Sequence, residues 1–469
     1  MSTTSKVSAG KRIEDLLDDN SFVEIGSLVK ARNTDFNLTK KDTPADGVIT
    51  GYGLINGELV YVYSQNVNVL GGSIGEMHAK KITKIYDMAM KMGAPVIGLV
   101  DCAGLRLEEA TDALNAFGEI YLKKVKASGV IPQITAVFGR CGGGLAILSQ
   151  LSDFTFMEDN AKLFVNSPNT IDSNYEAKCD TASAEFQREE TANVDYVGNE
   201  AEILEKIREL VGILPGNFEN GTAYEECRDE LNRVCEGIDN CVEDIQTLLQ
   251  MVSDEGMLFE VKKDYAPDMV TGFIKLNGNT VGVVANNANL LTSQGTVKAA
   301  DFVNFCDAFE IPVVTFTNVT GFETTMEEEK KLAEACAKLT YAFANATVPK
   351  INVIIGDAFG SAYVVMNSKG IGADIVYAWT DSKIGMMNAE SAAKIIYSKE
   401  IKESNNFNAI IAEKTAEYNE LQLSAVSAAG RGYVDSILAP EDTRKYLIGA
   451  VEMLLTKRED APYKKHGTV

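Results

Sequence analysis

Short apolar runs alternate with amphipathic stretches along the chain, and this alternation predicts strands that alternate with helices. Four runs rich in Val, Ile and Phe are typical of buried strands; they begin at Pro95, Pro132, Pro312 and Pro349. Two hairpins are predicted as well, because apolar runs flank an Asn-Gly turn at Asn56-Gly57 and again at Asn277-Gly278. Together these elements predict an α/β fold with a largely parallel or mixed sheet.

The same order of elements occurs twice. The segment "TGYGLINGELVYVYSQN" resembles "TGFIKLNGNTVGVVANN" further along, and three later pairs of segments follow in the same order. An interval of 217 positions separates Pro95 from Pro312, and the strands and glycine turns that follow keep that interval. Repetition on this scale predicts two tandem duplicated domains, which we place at residues 1–225 and 226–469.

Three consecutive glycines in "FGRCGGGLAILSQ" stand where a predicted strand ends and a helix begins. The first N–H groups of a helix have no partner within it, and glycine has no Cβ to keep a ligand away. The pattern therefore predicts an oxyanion hole made of the backbone amides of Gly143 and Gly144. The second copy carries "FGSAYV" at the corresponding place, which predicts a second hole at Ser361 and Ala362.

Two other interpretations of the glycines stay open from the residues alone. They permit close packing of a helix on a strand, or they form a phosphate-binding loop. The pattern GxxxxGK[ST] is absent and no lysine follows, which argues against the phosphate loop. The duplication of the loop favours the oxyanion interpretation over simple packing.

The net charge and the residue counts exclude several classes of partner and of site. A formal net charge of −23 repels phosphate backbones and anionic lipid, so we expect no nucleic acid among the partners. With only two histidines, His78 and His466, a His-rich metal site is excluded and His78 is left as the one candidate His base. The eight cysteines have no CxxC spacing, and no metal is expected. The absence of a secretory leader and of an 18-residue apolar run predicts a cytoplasmic protein with reduced thiols.

Several long segments resemble one known family. They are "GGSIGEMHAKKITKIYDMAMKMGAPVIGL", "DCAGLRLEEA" and "GVIPQITAVFGRCGGGLAILSQLSDFTFM" in the first half, with "DMVTGFIKLNGNTVGVVANN" and "ATVPKINVIIGDAFGSAYVVMNSKGIGADIVYAW" in the second. These resemble the β-type carboxyltransferase subunit of biotin-dependent acyl-CoA carboxylases and decarboxylases, in the crotonase superfamily. The likeness runs from about Arg12 to Met453 and implies two tandem crotonase-like (ClpP/crotonase) ββα domains.

The resemblance implies that the chain moves a carboxyl group between carboxybiotin and the α-carbon of a short acyl-CoA. The first domain is the acyl-CoA side, where Gly143 and Gly144 would hold the thioester oxygen as it becomes an enolate. The second is the biotin side, where Ser361 and Ala362 would hold the ureido oxygen. Further substrate-binding positions implied by the family's motifs are Gly71, Gly72, Ala103, Gly104, Arg106, Gly142, Gly360 and Val364. Arg106, with Lys80 and Lys81, is a candidate cation for the CoA phosphates.

The resemblance also implies partners. Biotin would arrive on a separate carrier protein, and a biotin carboxylase or membrane decarboxylase subunits would complete the system. In this family the site lies between the first domain of one subunit and the second domain of another, so a homodimer is the minimum and a hexamer is expected. Both directions stay open: carboxylation of acetyl- or propionyl-CoA, and decarboxylation of malonyl-, methylmalonyl- or glutaconyl-CoA.

Two alternative functions remain. An acyl-CoA hydratase or isomerase would need paired carboxylates facing the pocket, for which Glu108 and Glu109 are the candidates. A catalytically weakened assembly scaffold is suggested by three departures from the family's pattern, at Thr320, at Ser361 and in "MMNAESA".

Three other residues are best explained without a catalytic role. His78 is expected on a helix surface or at a helix cap, and Cys102 and Cys141 are expected as small buried packing residues because no activating partner is visible.

Overall fold

Two units divide the chain, Met1–Ala223 and Tyr224–Val469, and each builds its own sheet and core. They are taken from a computed structural model, which describes residues 7–34, 36, 41–172, 174, 178–220, 223–403 and 406–459. Of the two histidines, His466 lies outside the described residues.

The strands of the first unit are β1 (Val23–Glu24), β2 (Val48–Ile55), β3 (Glu58–Gln65), β4 (Val96–Val100), β5 (Gln133–Val137), β6 (Arg140–Gly142), β7 (Phe154–Glu158), β8 (Lys162–Phe164) and β9 (Tyr196–Gly198). Its helices are α1 (Ala9–Leu16), α2 (Glu76–Met92), α3 (Ala110–Ala127), α4 (Gly144–Gln150), α5 (Ala184–Glu189) and α6 (Glu200–Ile213). Short 3-10 turns lie at Pro44–Gly47, Leu70–Gly72, Leu107–Glu109 and Pro168–Thr170.

Seven of these strands form one sheet in the order β1-β2-β3-β4-β5-β7-β9. Strands β1 to β3 are antiparallel, and every pairing from β3 to β9 is parallel. Strands β6 and β8 leave this sheet and pair in parallel with each other. The short β6–β8 pair therefore carries the chain away from the main sheet just before α4 begins.

The strands of the second unit are β10 (Phe259–Val261), β11 (Met269–Leu276), β12 (Asn279–Asn286), β13 (Leu290–Leu291), β14 (Val313–Val319), β15 (Gly321–Phe322), β16 (Lys350–Phe359), β17 (Ile375–Trp379), β18 (Lys383–Gly385) and β19 (Ser436–Leu438). Its helices are α7 (Ile245–Val252), α8 (Ser293–Ala308), α9 (Met326–Glu329), α10 (Leu332–Asn345), α11 (Gly360–Val365), α12 (Ala389–Ile396), α13 (Ser398–Glu403), α14 (Phe407–Tyr418), α15 (Ala425–Gly430) and α16 (Thr443–Leu454). A π-helical turn spans Asn419–Leu423, and 3-10 turns lie at Ile238–Cys241, Asp254–Gly256, Lys369–Ile371 and Pro440–Asp442.

The second sheet repeats the first. Its order is β10-β11-β12-β14-β16-β17-β19, again antiparallel at the start and parallel afterwards. The long strand β16 corresponds to β5 and β6 together, and β18 pairs with its end as β8 pairs with β6. The predicted α/β class and the duplicated order of elements are confirmed.

The two predicted hairpins have the same construction. Asn56-Gly57 and Asn277-Gly278 all have positive φ, between 48° and 84°, as a two-residue turn of this kind requires. One carboxylate caps each turn: Asp18 accepts from both N–H groups of the first, at 3.1 and 2.9 Å. Asp254 accepts from both N–H groups of the second, at 3.2 and 2.7 Å.

The apolar runs form the central parallel strands. Every residue of β4 and β5 is buried, and β14 and the first half of β16 are nearly as well covered. Strands covered on both faces need apolar side chains on both, which explains the continuous runs in the sequence. Loops that follow the carboxyl ends of such strands are the usual place for sites in α/β folds, and both glycine turns lie there. Within the described residues no helix has the length and apolar composition needed to cross a bilayer.

Candidate functional site

The first glycine loop joins β6 to α4. Gly143 has φ +61°, and a Cβ added to it would meet no atom within 4 Å, so the loop faces open space at this point. The Gly143 N–H does not face that space: it donates to the Phe164 carbonyl oxygen at 2.8 Å, in continuation of the β6–β8 pairing. The expected free amide at Gly143 is therefore not found, and this part of the prediction is wrong.

The unpaired amides of this loop lie one residue further on. Gly144 and Leu145 are the first two residues of α4, where a helix supplies no acceptor. Neither N–H donates to an acceptor among the described residues. The Gly144 N–H is thus unpaired among the described residues, as its predicted role requires, and the Leu145 N–H, which the sequence analysis did not include, is unpaired as well.

The second loop, between β16 and α11, also turns at a glycine with positive φ. Gly360 also has φ +61°, and it lies 217 positions after Gly143. The N–H groups of Ser361 and Ala362 donate to no acceptor in the part of the chain that the structure describes. Since the interval of 217 also pairs Leu145 with Ala362, extending the repeat by one position would have identified Leu145 from the sequence.

A cavity of about 710 Å³ opens beside this second loop, wholly within the second unit. Gly360 and Ser361 lie at its edge, and its lining combines apolar and polar side chains: Tyr363, Val364, Ile384, Met386, Tyr418, Gln422, Leu423, Arg431 and Tyr433. Ser361 and Val364 are exposed, while Ala362 is buried. The unpaired Ser361 amide thus stands at the wall of a cavity large enough for a small bicyclic ligand.

In the first unit the other predicted glycines lie beside the first loop. Ala103 N–H donates to the Gly71 carbonyl oxygen at 3.0 Å, and Cys102 N–H donates to the Arg140 carbonyl oxygen at 3.2 Å, which ties this segment to β6. A Cβ on Gly72 would lie 2.4 Å from the Asp101 carbonyl oxygen, so only glycine fits there. A Cβ on Gly104 (φ +114°) would meet open space. The structure therefore brings Gly71, Gly72, Ala103 and Gly104 together with Gly142, Gly143 and Gly144.

A known protein family matches nearly the whole chain. The family described as "Carboxyl transferase domain" matches residues 3–469. The chain belongs to the carboxyl transferase family.

Named relatives cover nearly the whole of this carboxyl transferase. The propionyl-CoA carboxylase beta chain of Roseobacter denitrificans is 39% identical, over 99% of this chain and 94% of the relative. The methylmalonyl-CoA decarboxylase subunit alpha of Veillonella parvula is 38% identical, over 99% of this chain and 93% of the relative.

A crystal structure of transcarboxylase 12S, described as a hexamer assembly with methylmalonyl-coenzyme A and methylmalonic acid bound, matches with a TM-score of 0.94 and 36% identity. It covers 98% of this chain and 92% of that chain. The predictions of the family, of a carboxyltransferase enzyme and of tandem crotonase-like domains are confirmed.

Arg106 does not occupy the position expected of a phosphate ligand in this carboxyl transferase. Its side chain is fully buried, and Nη1 pairs with Asp46 at 2.6 Å and with Glu109 at 2.7 Å. Nη2 donates to the Ser73 carbonyl oxygen at 2.7 Å. Burial raises the pKa of Asp46, while the Arg106 guanidinium opposes that rise. Arg106 holds the loops around the site together, and its predicted role as a cation for CoA is corrected.

Lys80 and Lys81, the two lysines predicted as cations for the CoA phosphates, have different surroundings. Lys81 is buried and its Nζ donates to the carbonyl oxygens of Ala45 and Val48, so it is not available to a phosphate either. Burial lowers the pKa of Lys81 to about 8. Lys80 is half exposed and pairs with Glu76 at 2.6 Å on the same helix, so it stays a candidate cation.

His78 is buried rather than on a helix surface. Its N–H donates to Asp46 Oδ2 at 2.8 Å, and its ring lies 3.0 Å from the Asp46 carbonyl oxygen and 3.2 Å from the Gln65 side-chain nitrogen. Burial, helped by the charge of Arg106, lowers the pKa of His78 to about 3. The expected surface position is wrong, and a neutral, enclosed imidazole is not a base for this site.

The remaining candidate residues, two cysteines and two glutamates, have surroundings that indicate structural roles. Cys102 and Cys141 are buried, and burial raises the pKa of each thiol to about 12, which makes both poor nucleophiles. Glu109 Oε2 accepts from the Glu76 N–H at 2.6 Å and so caps α2, while Glu108 pairs with Lys41 at 3.1 Å at the surface. The two glutamates do not form the facing pair that a hydratase needs. Among the described residues no group of three or more His, Cys, Asp or Glu is placed to hold a metal.

Proposed function

We propose that this chain is the carboxyltransferase subunit that moves a carboxyl group between biotin, held on a separate carrier protein, and the α-carbon of a short acyl-CoA. The observation that carries the proposal is the repeated loop: Gly143 and Gly360 share φ +61°, and each is followed by two amides without an acceptor among the described residues. Two such loops match a reaction in which two different oxygens gain negative charge.

On the acyl-CoA side, the Gly144 and Leu145 amides would donate to the thioester oxygen. When the bond between the α-carbon and the carboxyl carbon breaks, its electron pair passes into an enolate whose charge rests on that oxygen. A preformed pair of amides stabilises this charge without reorganisation of the protein. The buried states of His78, Cys102 and Cys141 support a mechanism that uses no side-chain base.

On the biotin side, the Ser361 and Ala362 amides would donate to the ureido oxygen. The residues present fit the group, because unpaired amides stand beside a cavity with apolar walls at Val364, Tyr418 and Leu423. Biotin, when bound, would supply the ring nitrogen that gives its proton to the α-carbon and takes the carboxyl group in exchange; in the carboxylation direction the same nitrogen would give up the carboxyl group and take the α-proton. The chain's own task there is to orient the ring and to stabilise the charge on its oxygen.

The relatives support a proposal for the acyl chain and for the assembly. Their printed names concern propionyl-CoA and methylmalonyl-CoA, and we propose a short acyl-CoA of this kind for this chain. Val364, an exposed apolar residue at the cavity, is proposed to contact the acyl chain and influence its selection. We propose a homo-oligomer, a dimer at least and a hexamer like transcarboxylase 12S, working with a biotin carrier and with a biotin carboxylase or decarboxylase partner.

One assay tests the proposal against its alternatives. Purified protein is incubated with free biotin and malonyl-CoA or methylmalonyl-CoA, and loss of the thioester's carboxyl group is followed with and without biotin. Biotin-dependent loss supports the carboxyltransferase. Addition of water to crotonyl-CoA would instead support a hydratase, and binding of CoA thioesters with no turnover of any of them would support a scaffold.

A further inference from the structure

Tyr121 of α3 contacts the first turn of α4, the turn that carries the amides proposed to hold the thioester oxygen. Its hydroxyl donates to the Gly144 carbonyl oxygen at 2.6 Å. We propose that Tyr121 is a positioning residue for the acyl-CoA half of the reaction: it fixes the two amide donors at the start of α4 and polarises the second of them, the Leu145 N–H. This inference rests on the function proposed above for Gly144 and Leu145.

The first part of the inference is orientation. The Tyr121 ring packs against the Phe117 ring with centroids 4.9 Å apart, and this pair lies directly against Gly144. A Cβ added to Gly144 would come within 2.7 Å of the Phe117 ring and 2.9 Å of the Tyr121 hydroxyl. The third glycine of the loop is therefore required for the close approach of α3. On the other side, the bond from the Gly143 N–H to Phe164 holds the same loop.

The second part is polarisation. The Gly144 carbonyl and the Leu145 N–H belong to one peptide group, so a hydrogen bond donated to that oxygen draws electron density away from the N–H. Hydrogen bonds in such chains strengthen one another. Burial raises the pKa of Tyr121 above its ordinary value, and the hydroxyl stays protonated and able to donate at neutral pH.

In the described part of the second unit, no side chain donates to the carbonyl oxygen of Ser361 as Tyr121 does to that of Gly144. The position 217 residues after Tyr121 is Lys338, which is partly exposed and pairs with Glu334 of its own helix at 2.7 Å. In place of Gly144 the second loop has Ser361, which carries a Cβ. Tyr121 should therefore affect the acyl-CoA half alone, and the biotin half should be insensitive to its removal.

The test measures the strength of the hydrogen bonds that the two amides donate to the thioester oxygen. Acetyl-CoA and propionyl-CoA labelled with ¹³C at the thioester carbonyl are bound to the wild-type protein, and the carbonyl stretching frequency is compared with that of the free thioester. We expect a shift to lower frequency on binding. Tyr121→Phe, which keeps the ring, should reduce this shift and lower kcat for carboxyl loss from methylmalonyl-CoA roughly 3- to 10-fold, with KM for the thioester little changed.

A matched control is Tyr196→Phe, a half-buried tyrosine of β9 whose ring centroid lies 6.2 Å from that of Phe156. It should leave both the carbonyl shift and kcat at wild-type values. Replacement of Tyr121 by 3-fluorotyrosine, a stronger hydrogen-bond donor, should enlarge the shift, and this variant keeps the test independent of how well the phenylalanine variant folds.

The outcomes distinguish a failure of the Tyr121 inference from a failure of the proposed function. A wild-type shift that persists in full in Tyr121→Phe and does not change with fluorotyrosine overturns the role of Tyr121 while the proposed function stands. Absence of any shift in the wild type with both thioesters overturns the assignment of the α4 amides, and the inference fails with it.

Discussion

A proline at position 361 would remove the backbone N–H of Ser361 and leave the neighbouring residues unchanged. Ser361 is the second residue of α11 and its N–H has no acceptor among the described residues, so a proline there breaks no hydrogen bond that the structure shows. Proline is tolerated in the first turn of a helix, and the preceding Gly360 has the freedom to accommodate it. Ser361→Pro therefore deletes one of two proposed donors to the ureido oxygen.

The expected loss of activity follows from the free energy by which one such donor lowers the barrier. Removal of one oxyanion donor costs about 2.7–4 kcal/mol of barrier, so kcat for biotin-dependent carboxyl loss from methylmalonyl-CoA should fall about 10²- to 10³-fold. Ser361→Ala retains the N–H and should stay within a fewfold of the wild type. The assay follows the thioester's carboxyl group with free biotin as acceptor, and thermal unfolding confirms that both variants are folded.

Two results would refute this reasoning. Equal activity of the proline and alanine variants would mean that the amide is not used. An equal, large loss in both would assign the effect to the serine hydroxyl instead of the backbone. The frequency of the thioester's carbonyl stretch should be the same in all three proteins, because it depends on the amides proposed in the first unit.

Three further predictions concern residues that take no part in the proposed carboxyl transfer. Arg106→Met should lower the free energy of unfolding by about 3–5 kcal/mol, measured by urea titration, because it leaves two buried carboxylates without their cation. The pKa of His78 lies near 3 in the folded state against 6.5 ordinarily, so the unfolded state binds the proton first as pH falls. Stability should therefore decline from about pH 6.5 towards pH 3, and less so in a His78→Gln variant; an unchanged slope would contradict the burial argument. Iodoacetamide at about pH 8 should label the exposed Cys179 and spare Cys102 and Cys141 in the native protein, as read by peptide mass spectrometry, whereas labelling of either buried thiol at the rate of Cys179 would contradict their enclosure.

Much of the fold could be predicted because its signals are local. A buried parallel strand needs apolar residues on both faces, so β4, β5 and β14 appear in the sequence as uninterrupted apolar runs. The hairpins are indicated by Asn-Gly turns whose positive φ few other residues tolerate. The duplication is visible because each copy preserves the spacing of these elements.

The functional residues were predictable only in part. The glycine turns were correctly placed at the starts of α4 and α11, since a glycine with positive φ is a local requirement. Arg106 and Lys81 were misjudged, because a cation in a loop or on a helix does not reveal whether carboxylates or carbonyl oxygens surround it. His78 was misjudged for the same reason: the groups that enclose it come from distant parts of the chain.

The order of residues was enough to establish the architecture: two α/β domains, their succession of strands and helices, and the two glycine turns at which helices begin. Those features follow from the periodicity, spacing and backbone preferences of the chain, whereas the family was identified from long segments that resemble it. Which amides remain free depends instead on the folded chain. The Gly143 N–H is occupied by Phe164 through the β6–β8 pairing, and the amides of the loop that stay unpaired in the described part of the chain are those of Gly144 and Leu145. Hydrogen-bond partners distant in sequence make that choice, because a buried N–H takes whichever acceptor the fold brings to it.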